Sequence, residues 1–508
     1  MSNINWPQFP DPYWHQNLTL PSFPPLNENI TTDVTIIGAG MSGITAGYLL
    51  SLEGVKVTIV EASSILNGTT GHTTAKITSQ HGLIYDEFIN HFGEEKAKMY
   101  FNSTDSARAF IKNTIQQLNI DCGYEEHDAY IYTNSDQELS KLDNEARAYE
   151  KLKIPGDTVD SMPFKQLPMK KALVMKGQAQ FHPLKYLLRL VEEIKQNGGQ
   201  IFENTTAVDI EEGVQPKVMT RNGKTITSKQ VICCSHYPFY DAAGFYFSKM
   251  YQERSYVVAV KSDEPYPGGM YLSAETPKRS VRSTPIGASN LLLLGGESHK
   301  TGHGINTMQH YEALANFGKE VLGLTDIHYR WSAQDIYTLD KIPYIGHFTS
   351  SSKNIYIATG YRKWGMTNGT AAGMVLSDLI TKGTSPYESL YTPQRFHADP
   401  DIRRFVEHNA DVAYQFVKGK FSMDDKHPED IANSEAAYVK MNGQKCGAYR
   451  DEGGQLHVVD TTCRHLGCEV EWNDGEKSWD CPCHGSRYSI DGDIIEGPTE
   501  SPLEKTDF

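Results

Sequence analysis

The sequence predicts an α/β dinucleotide-binding fold in a chain of two or three domains, closed by a small module that holds a metal centre. Three observations carry this. At 508 residues the chain is too long for one core. Near its start, a short apolar strand runs into a glycine-rich turn and a helix. Near its end, two short loops present Cys and His at matched spacing.

Asp33-Val34-Thr35-Ile36-Ile37 is the strand, followed by Gly38-Ala39-Gly40-Met41-Ser42-Gly43 and a helical run through Leu50. A second strand, Val55 to Val60, ends in Glu61. This order is the dinucleotide fingerprint. Glycines permit a tight turn and close backbone approach, the helix N-terminus faces a pyrophosphate, and an acid about twenty residues on meets ribose hydroxyls. Farther on, Glu94 to Glu150 predicts helices around a Tyr130-Ile131-Tyr132 strand. Pro183 predicts the first turn of an amphipathic helix that stops before Gly198-Gly199. Tyr237 to Asp326 reads as short strands and turns, and Pro386 to about Lys426 as a charged, partly helical connector rich in Asp and Arg.

The tail loops are Cys463-Arg464-His465-Leu466-Gly467-Cys468 and Cys481-Pro482-Cys483-His484-Gly485-Ser486. A Rieske-type [2Fe–2S] centre replaces two of four thiolates with two imidazoles on one iron, so each loop must offer one Cys and one His. Cys463 with His465, and Cys481 with His484, meet that demand. A tetrahedral zinc site would accept the same four ligands, but it has no use for the extra cysteine in each loop.

This segment closely resembles the Rieske family. The resemblance implies an all-β domain over residues 427–508 and a disulfide between Cys468 and Cys483 clamping the loops. It also implies Ser486 and Tyr488 as hydroxyl donors to a bridging sulfide and a cysteine sulfur, and a covering proline loop at Gly497 to Pro502. Such donors raise the cluster potential. Closing a loop of about fifteen residues would stabilise the fold by roughly 3 kcal/mol.

The stretch from Asp33 to Gly383 resembles the D-amino-acid oxidase and glycine oxidase superfamily, through Pro343-Tyr344-Ile345-Gly346, Ile357-Ala358-Thr359-Gly360 and a Gly-rich helix start at Gly365. That likeness makes the dinucleotide FAD. It implies a Rossmann-like FAD-binding domain of the glutathione-reductase/DAO type over 31–385, with α+β substrate-domain segments inserted at about 94–150 and 237–326. Ala207 to Ile210 resembles the strand whose backbone meets the adenine, and Gln230 to Ser235 the strand ending near the pyrophosphate. The implied FAD contacts are Gly38, Gly40, Met41, Ser42, Gly43, Glu61, Thr70, His72, Thr73, Val208, Gly360, Trp364, Gly365 and Met366. Gly68 to Thr73 also resembles the loop of sarcosine and dimethylglycine dehydrogenases whose histidine is joined covalently to the flavin. Gly71 and Ala75-Lys76 depart from that pattern, so covalent and noncovalent roles for His72 stay open. The arm over residues 1–30, with Trp6 and Trp14, resembles the gamma-glutamylputrescine oxidoreductase branch. A connector, 386–426, then leads to the tail, an order similar to bacterial FAD-dependent oxidoreductases with a C-terminal Rieske domain.

Composition narrows the setting. No apolar run reaches about eighteen residues and the head has no basic leader, which predicts a cytoplasmic protein without a membrane span. Net charge is −15, and Asp451 to Phe508 holds fourteen acids against four bases. Nucleic acid is an unsuitable partner for such a surface, whereas a basic redox carrier suits it. Of eight cysteines, Cys122, Cys233, Cys234 and Cys446 fall outside the tail motif and read as packing residues. The expected chemistry is flavin-dependent oxidation of a small amine or amino acid, with electrons leaving through the cluster to an external acceptor. Arg254, Tyr256, Glu297, His299, Asp335, Tyr361, Lys363 and Trp364 are expected near the flavin ring. Two alternatives remain: a Rieske-fed flavin oxygenase or reductase, and a redox sensor or interaction protein.

Overall fold

The strand predicted at Asp33 begins earlier. In the computed structural model, which describes residues 6–7, 10–16, 18–241, 244–304, 306–421, 425–441 and 443–506, it spans Ile30–Ile37. Residues 1–5 of the predicted arm and 422–424 of the predicted connector lie outside the described residues.

Ile30–Ile37 sits inside an eight-stranded sheet, parallel to Val57–Val60 on one side and to Thr225–Cys233 on the other. Ile355–Thr359 and Gln200–Phe202 extend it in parallel. Val57–Val60 is buried throughout, as strands covered on both faces must be. The helices Met41–Leu52 and Gly365–Lys382 cross at small residues. A Cβ on Gly373 would stand 2.7 Å from Thr45, so only glycine lets the backbones approach this closely.

A nine-stranded sheet forms the second layer, in the order Ile327–Thr338, Met250–Ser262, Ser289–Lys300, Arg279–Ile286, Met270–Ser273, Glu125–Thr133, Lys171–Gln180 and Lys76–Ile77, with Gly156–Val159 beside Lys171–Gln180. It thus takes in Lys171–Gln180 and Ile327–Thr338, which lie outside the segments 94–150 and 237–326. Long antiparallel registers with Glu125–Thr133 and Met250–Ser262 hold them there. The Tyr237 to Asp326 stretch also contains a helix, Met308–Leu322, which buries Tyr311, Leu314 and Ala315 and ends at left-handed Gly323. Pro183 opens the helix Pro183–Gln196, followed by left-handed Gly198.

The arm does more than trail. Trp14 is fully buried and donates its indole N–H to Thr73 O at 2.7 Å, with the Arg282 guanidinium over its ring. The connector contains the helix Ala398–Phe421, and before it Arg395 grips the buried Asp340 through two hydrogen bonds of 2.6 and 2.9 Å.

The tail is all-β, with two four-stranded sheets. One holds Asp425–Lys426, Ala436–Met441, Gln444–Arg450 and Leu456–Asp460. The other holds Glu471–Asn473, Ser478–Asp480, Arg487–Tyr488 and Ile494–Glu496. Trp479, Val459, Val470, Tyr488 and Leu503 form its core.

Candidate functional site

The two tail loops converge. The His465 and His484 rings lie 4.9 Å apart at 88°, and the contact between the Cys463 and Cys481 thiols draws Cys463 below the usual thiol range and pushes Cys481 above it. Burial lowers His465 to about 4 and His484 to about 3. Both imidazoles are therefore neutral at physiological pH, as metal ligation requires. Cys468 and Cys483 are joined in a disulfide, and Cys481 Sγ lies within 4.8 Å of both its sulfurs.

The donor set fits a [2Fe–2S] cluster. His465 Nδ1, His484 Nδ1 and Ser486 Oγ are buried without a hydrogen-bond partner, which is costly unless a bound group receives them. Tyr488 OH accepts the Arg464 N–H at 3.1 Å and lies 3.4 Å from Cys463 Sγ, to which it donates when that sulfur is a ligand thiolate. Pro498 and Thr499 of the proline loop are buried, and Arg221 of the flavin domain donates to Glu500 O.

The dinucleotide cradle is equally shaped. Gly38 has φ +103, and a Cβ there would stand 2.5 Å from Cys234 O. A Cβ on Gly43 would overlap Gly38 O. Gly40 caps the helix, and Met41 N donates to Thr70 Oγ1 at 3.1 Å. Ser42 Oγ meets Tyr361 OH at 2.6 Å, while Glu61 accepts from Ala39 N and Ser63 N at 2.9 and 3.1 Å. Thr73 Oγ1 accepts from Ala75 N, His72 Nδ1 bonds Gly68 O at 3.0 Å, and Val208 lies at the irregularity pairing Ala207–Glu211 with Lys217–Thr220. Gly360 has φ +82, Gly365 opens its helix and Met366 is buried. A glycine turn leading into a helix N-terminus, with Glu61 following the next strand, fits the dinucleotide of FAD.

Strand alternation sorts the remaining candidates. Opposed residues of an antiparallel pair share a face, and Glu253 opposes Asp335 whereas Arg254 opposes Gln334 and His299. Asp335, Glu253, Ser255 and Lys363 gather on one face, with Ser255 Oγ 3.4 Å from Asp335 and Lys363 Nζ 3.5 Å from Glu253. Burial pushes Asp335 up to about 6 against the pull of Lys363 and His236. Trp364 stacks on His81 at 4.8 Å, and Arg362 donates to His81 O at 3.2 Å. Arg362 and Lys363 both take positive φ, 50° and 66°, a strained pair of the kind that clusters at functional turns.

Beside this wall opens a cavity of about 210 Å³, lined by Gly82, Leu83, Ser273, Thr276, Lys278 and Lys141 among others. Lys278 is lowered to about 8, first by desolvation and then by Arg362, Lys363 and Lys341. His81, Glu253, Lys278 and Arg362 escaped sequence reasoning because no motif marks them; the positive charge between Lys278 and Lys363 emerges only on folding.

Arg254, Tyr256 and His299 lie on the opposite face, toward the tail domain. Arg254 is 1% exposed and reaches into the tail domain, with Nη2 3.4 Å from Glu496 and Nε 3.9 Å from Asp480. Tyr256 OH bonds His299 Nε2 at 2.9 Å, and both rings stack on His310. Glu297 pairs with Arg279 and His310. One residue of register moves a side chain to the opposite face, so membership of these strands did not fix which side Arg254, Tyr256 and His299 would take.

The flavin and tail domains are in intimate contact. A Cβ on Gly302 would stand 2.5 Å from Pro482, and Gln334 Nε2 donates to Gly485 O at 3.0 Å. The Tyr237 ring lies 6.4 Å from that of His465, and Phe247 lies 6.1 Å from His484.

Comparison with known proteins agrees with this anatomy. Residues 33–379 match the model of FAD dependent oxidoreductases, and residues 422–507 match the Rieske [2Fe-2S] domain. A Bacillus subtilis (strain 168) relative, the Rieske 2Fe-2S iron-sulfur protein YhfW, is 49% identical across 98% of both chains. Gamma-glutamylputrescine oxidoreductase of Escherichia coli (strain K12) is 23% identical over 70% of this chain and 85% of its own. The crystal structure of glycine oxidase from Geobacillus kaustophilus superposes with a TM-score of 0.61 at 16% identity, covering 72% of this chain and 99% of that one. Among the described residues, no helix is long and apolar enough to cross a membrane.

Proposed function

We propose a function for a chain that belongs to the FAD dependent oxidoreductase family and ends in a Rieske [2Fe-2S] domain: it oxidises the C–N bond of a small amine or amino acid and sends the electrons through its own cluster to an external acceptor. The observation that carries this is the bridge from the flavin domain to the cluster loop, where Gln334 reaches Gly485, the neighbour of His484. When bound, FAD accepts an electron pair and the cluster moves electrons singly.

The residues supply binding and exclusion. Asp335 and Glu253 offer carboxylates to a substrate ammonium, and Lys278 with Arg362 offers positive charge to a carboxylate. The stacked His81 and Trp364 wall the cleft against water. The named activity of gamma-glutamylputrescine oxidoreductase, and the glycine oxidase fold, support an amino-type substrate. Rieske potentials span about −150 to +300 mV, so flow from reduced flavin to cluster is downhill or nearly level. The acidic tail suits a basic redox carrier in the cytoplasm, steered by charge.

An anaerobic screen of amines and amino acids, followed at the flavin absorption band, tests the substrate class. A member that bleaches the flavin, and loses its effect in Lys278→Met or Asp335→Asn, supports the reading. Bleaching by NAD(P)H and a reductase, with none by any amine, would reverse the direction of flow.

A further inference from the structure

We propose that Gln334 is the positioning residue of the internal electron route, joining the flavin loop to the cluster loop, and that Arg254 holds it in register. The inference rests on the internal transfer put forward above and names its path.

On the flavin side, the Gln334 carbonyl oxygen accepts from Thr69 Oγ1 at 3.3 Å and from His236 Nε2 at 2.9 Å. Thr69 adjoins Thr70, whose hydroxyl sits at the N-terminus of the fingerprint helix. On the cluster side, the Gln334 side chain donates from Nε2 to Gly485 O at 3.0 Å. One residue, 1% exposed, thus touches both loops: the first with its backbone and the second with its amide. The amide cannot be turned over freely. Arg254 Nη2 stands 3.5 Å from Gln334 Oε1, and a guanidinium only donates, which makes that end the acceptor. Arg254 is itself fixed by Ser332 Oγ at 2.7 Å and by Glu496.

Gly485 has φ +71, and a Cβ there would come within 3.1 Å of both polar atoms of the Gln334 amide. The loop is therefore pressed against this side chain by the absence of its own. The competing approaches are ring contacts without a hydrogen bond, Tyr237 with His465 at 6.4 Å and Phe247 with His484 at 6.1 Å between ring centres.

With both groups bound, each electron passed from reduced FAD would reduce one ferric ion of the cluster with loss of a proton to solvent, and an external one-electron acceptor would reoxidise the cluster before the second electron followed.

The test uses the full-length chain loaded with FAD and cluster, without oxygen. A laser flash in the presence of EDTA reduces the flavin, and cluster reduction is read by rapid-freeze EPR. Gln334→Leu, and Gln334→Met, which spans a similar length without a donor, should each lose the fast phase of cluster reduction. Flavin photoreduction, the EPR g-values and the cluster midpoint potential should stay at wild-type values, which a loosened domain would not allow. Wild-type transfer rates in both variants would overturn the proposal. So would a lost fast phase in Tyr237→Leu with an intact one in Gln334→Leu. If the wild-type cluster itself stays oxidised beside reduced flavin, internal transfer fails, and the failure lies in the underlying reading rather than in the path.

Discussion

At Tyr488 the hydroxyl is constrained from both sides. It accepts the Arg464 N–H, leaving its proton for Cys463 Sγ when that sulfur is a ligand thiolate. Withdrawing charge from a ligand sulfur raises the potential. Tyr488→Phe should therefore lower the cluster midpoint potential with no change in cluster content, measured by EPR-monitored redox titration. Asp335 makes a prediction in pH. Its carboxyl titrates at about 6 in the folded chain, against about 3.9 unfolded. The folded state therefore holds the proton more tightly, and its stabilising effect is complete below about pH 4 and lost as pH rises through about 6. Asp335→Asn should flatten this part of the thermal-stability profile of the FAD-loaded protein, a change that calorimetry across that window reads directly. His236, Lys363, Glu253 and Ser255 surround the group, and they remain in the variant.

Among the elements, the loop carrying Gly302 and the ligand loop at Pro482 meet backbone to backbone. Gly302 has φ +73, so Gly302→Ala adds both left-handed strain and a clash with Pro482 Cα at 2.5 Å. Overpacking of this kind costs about 1–3 kcal/mol, and cluster occupancy by iron analysis should fall while FAD content holds. The same element scale shows what was legible beforehand. Gly38 to Glu61 and Cys463 to Tyr488 are local motifs, whose residues meet because few chain steps separate them. Pro183 and Gly198 likewise mark both ends of one helix. The cleft and the domain interface are built differently. They depend on the register of Met250–Ser262 between Ile327–Thr338 and Ser289–Lys300. Alternation along that strand sends Glu253 toward Asp335 and Lys363 and Arg254 to the cluster domain, and nothing in the local pattern says which. Trp14 stands in the same position: its bond to Thr73 joins the arm to the flavin loop across a separation invisible in the sequence.

For the whole molecule, the interface is a buried charge network. Arg254 and Arg487 face Asp480, Glu476 and Glu496, with Arg254, Arg487, Glu476 and Asp480 all deeply buried. The two arginines hold Asp480 and Glu476 below the usual carboxylate range despite burial. Removing one partner strands the others, a loss of about 3–5 kcal/mol. Arg254→Ala should accordingly separate the flavin and tail domains into two calorimetric transitions, while Arg254→Lys retains part of the coupling. Thr307 with Asn473, Arg330 with Gly475, and Tyr311 with Glu476 widen the seam. With the cluster loops pinned against the flavin domain in this way, the internal transfer proposed above would need no domain swing. The most direct test of that claim is a single anaerobic turnover in which the holoenzyme is mixed with an amine that bleaches its flavin, and the cluster is read by EPR. The reduced-cluster signal should rise within the turnover, after the flavin bleaches and without any added acceptor. A flavin that remains fully reduced beside an oxidised cluster would contradict it.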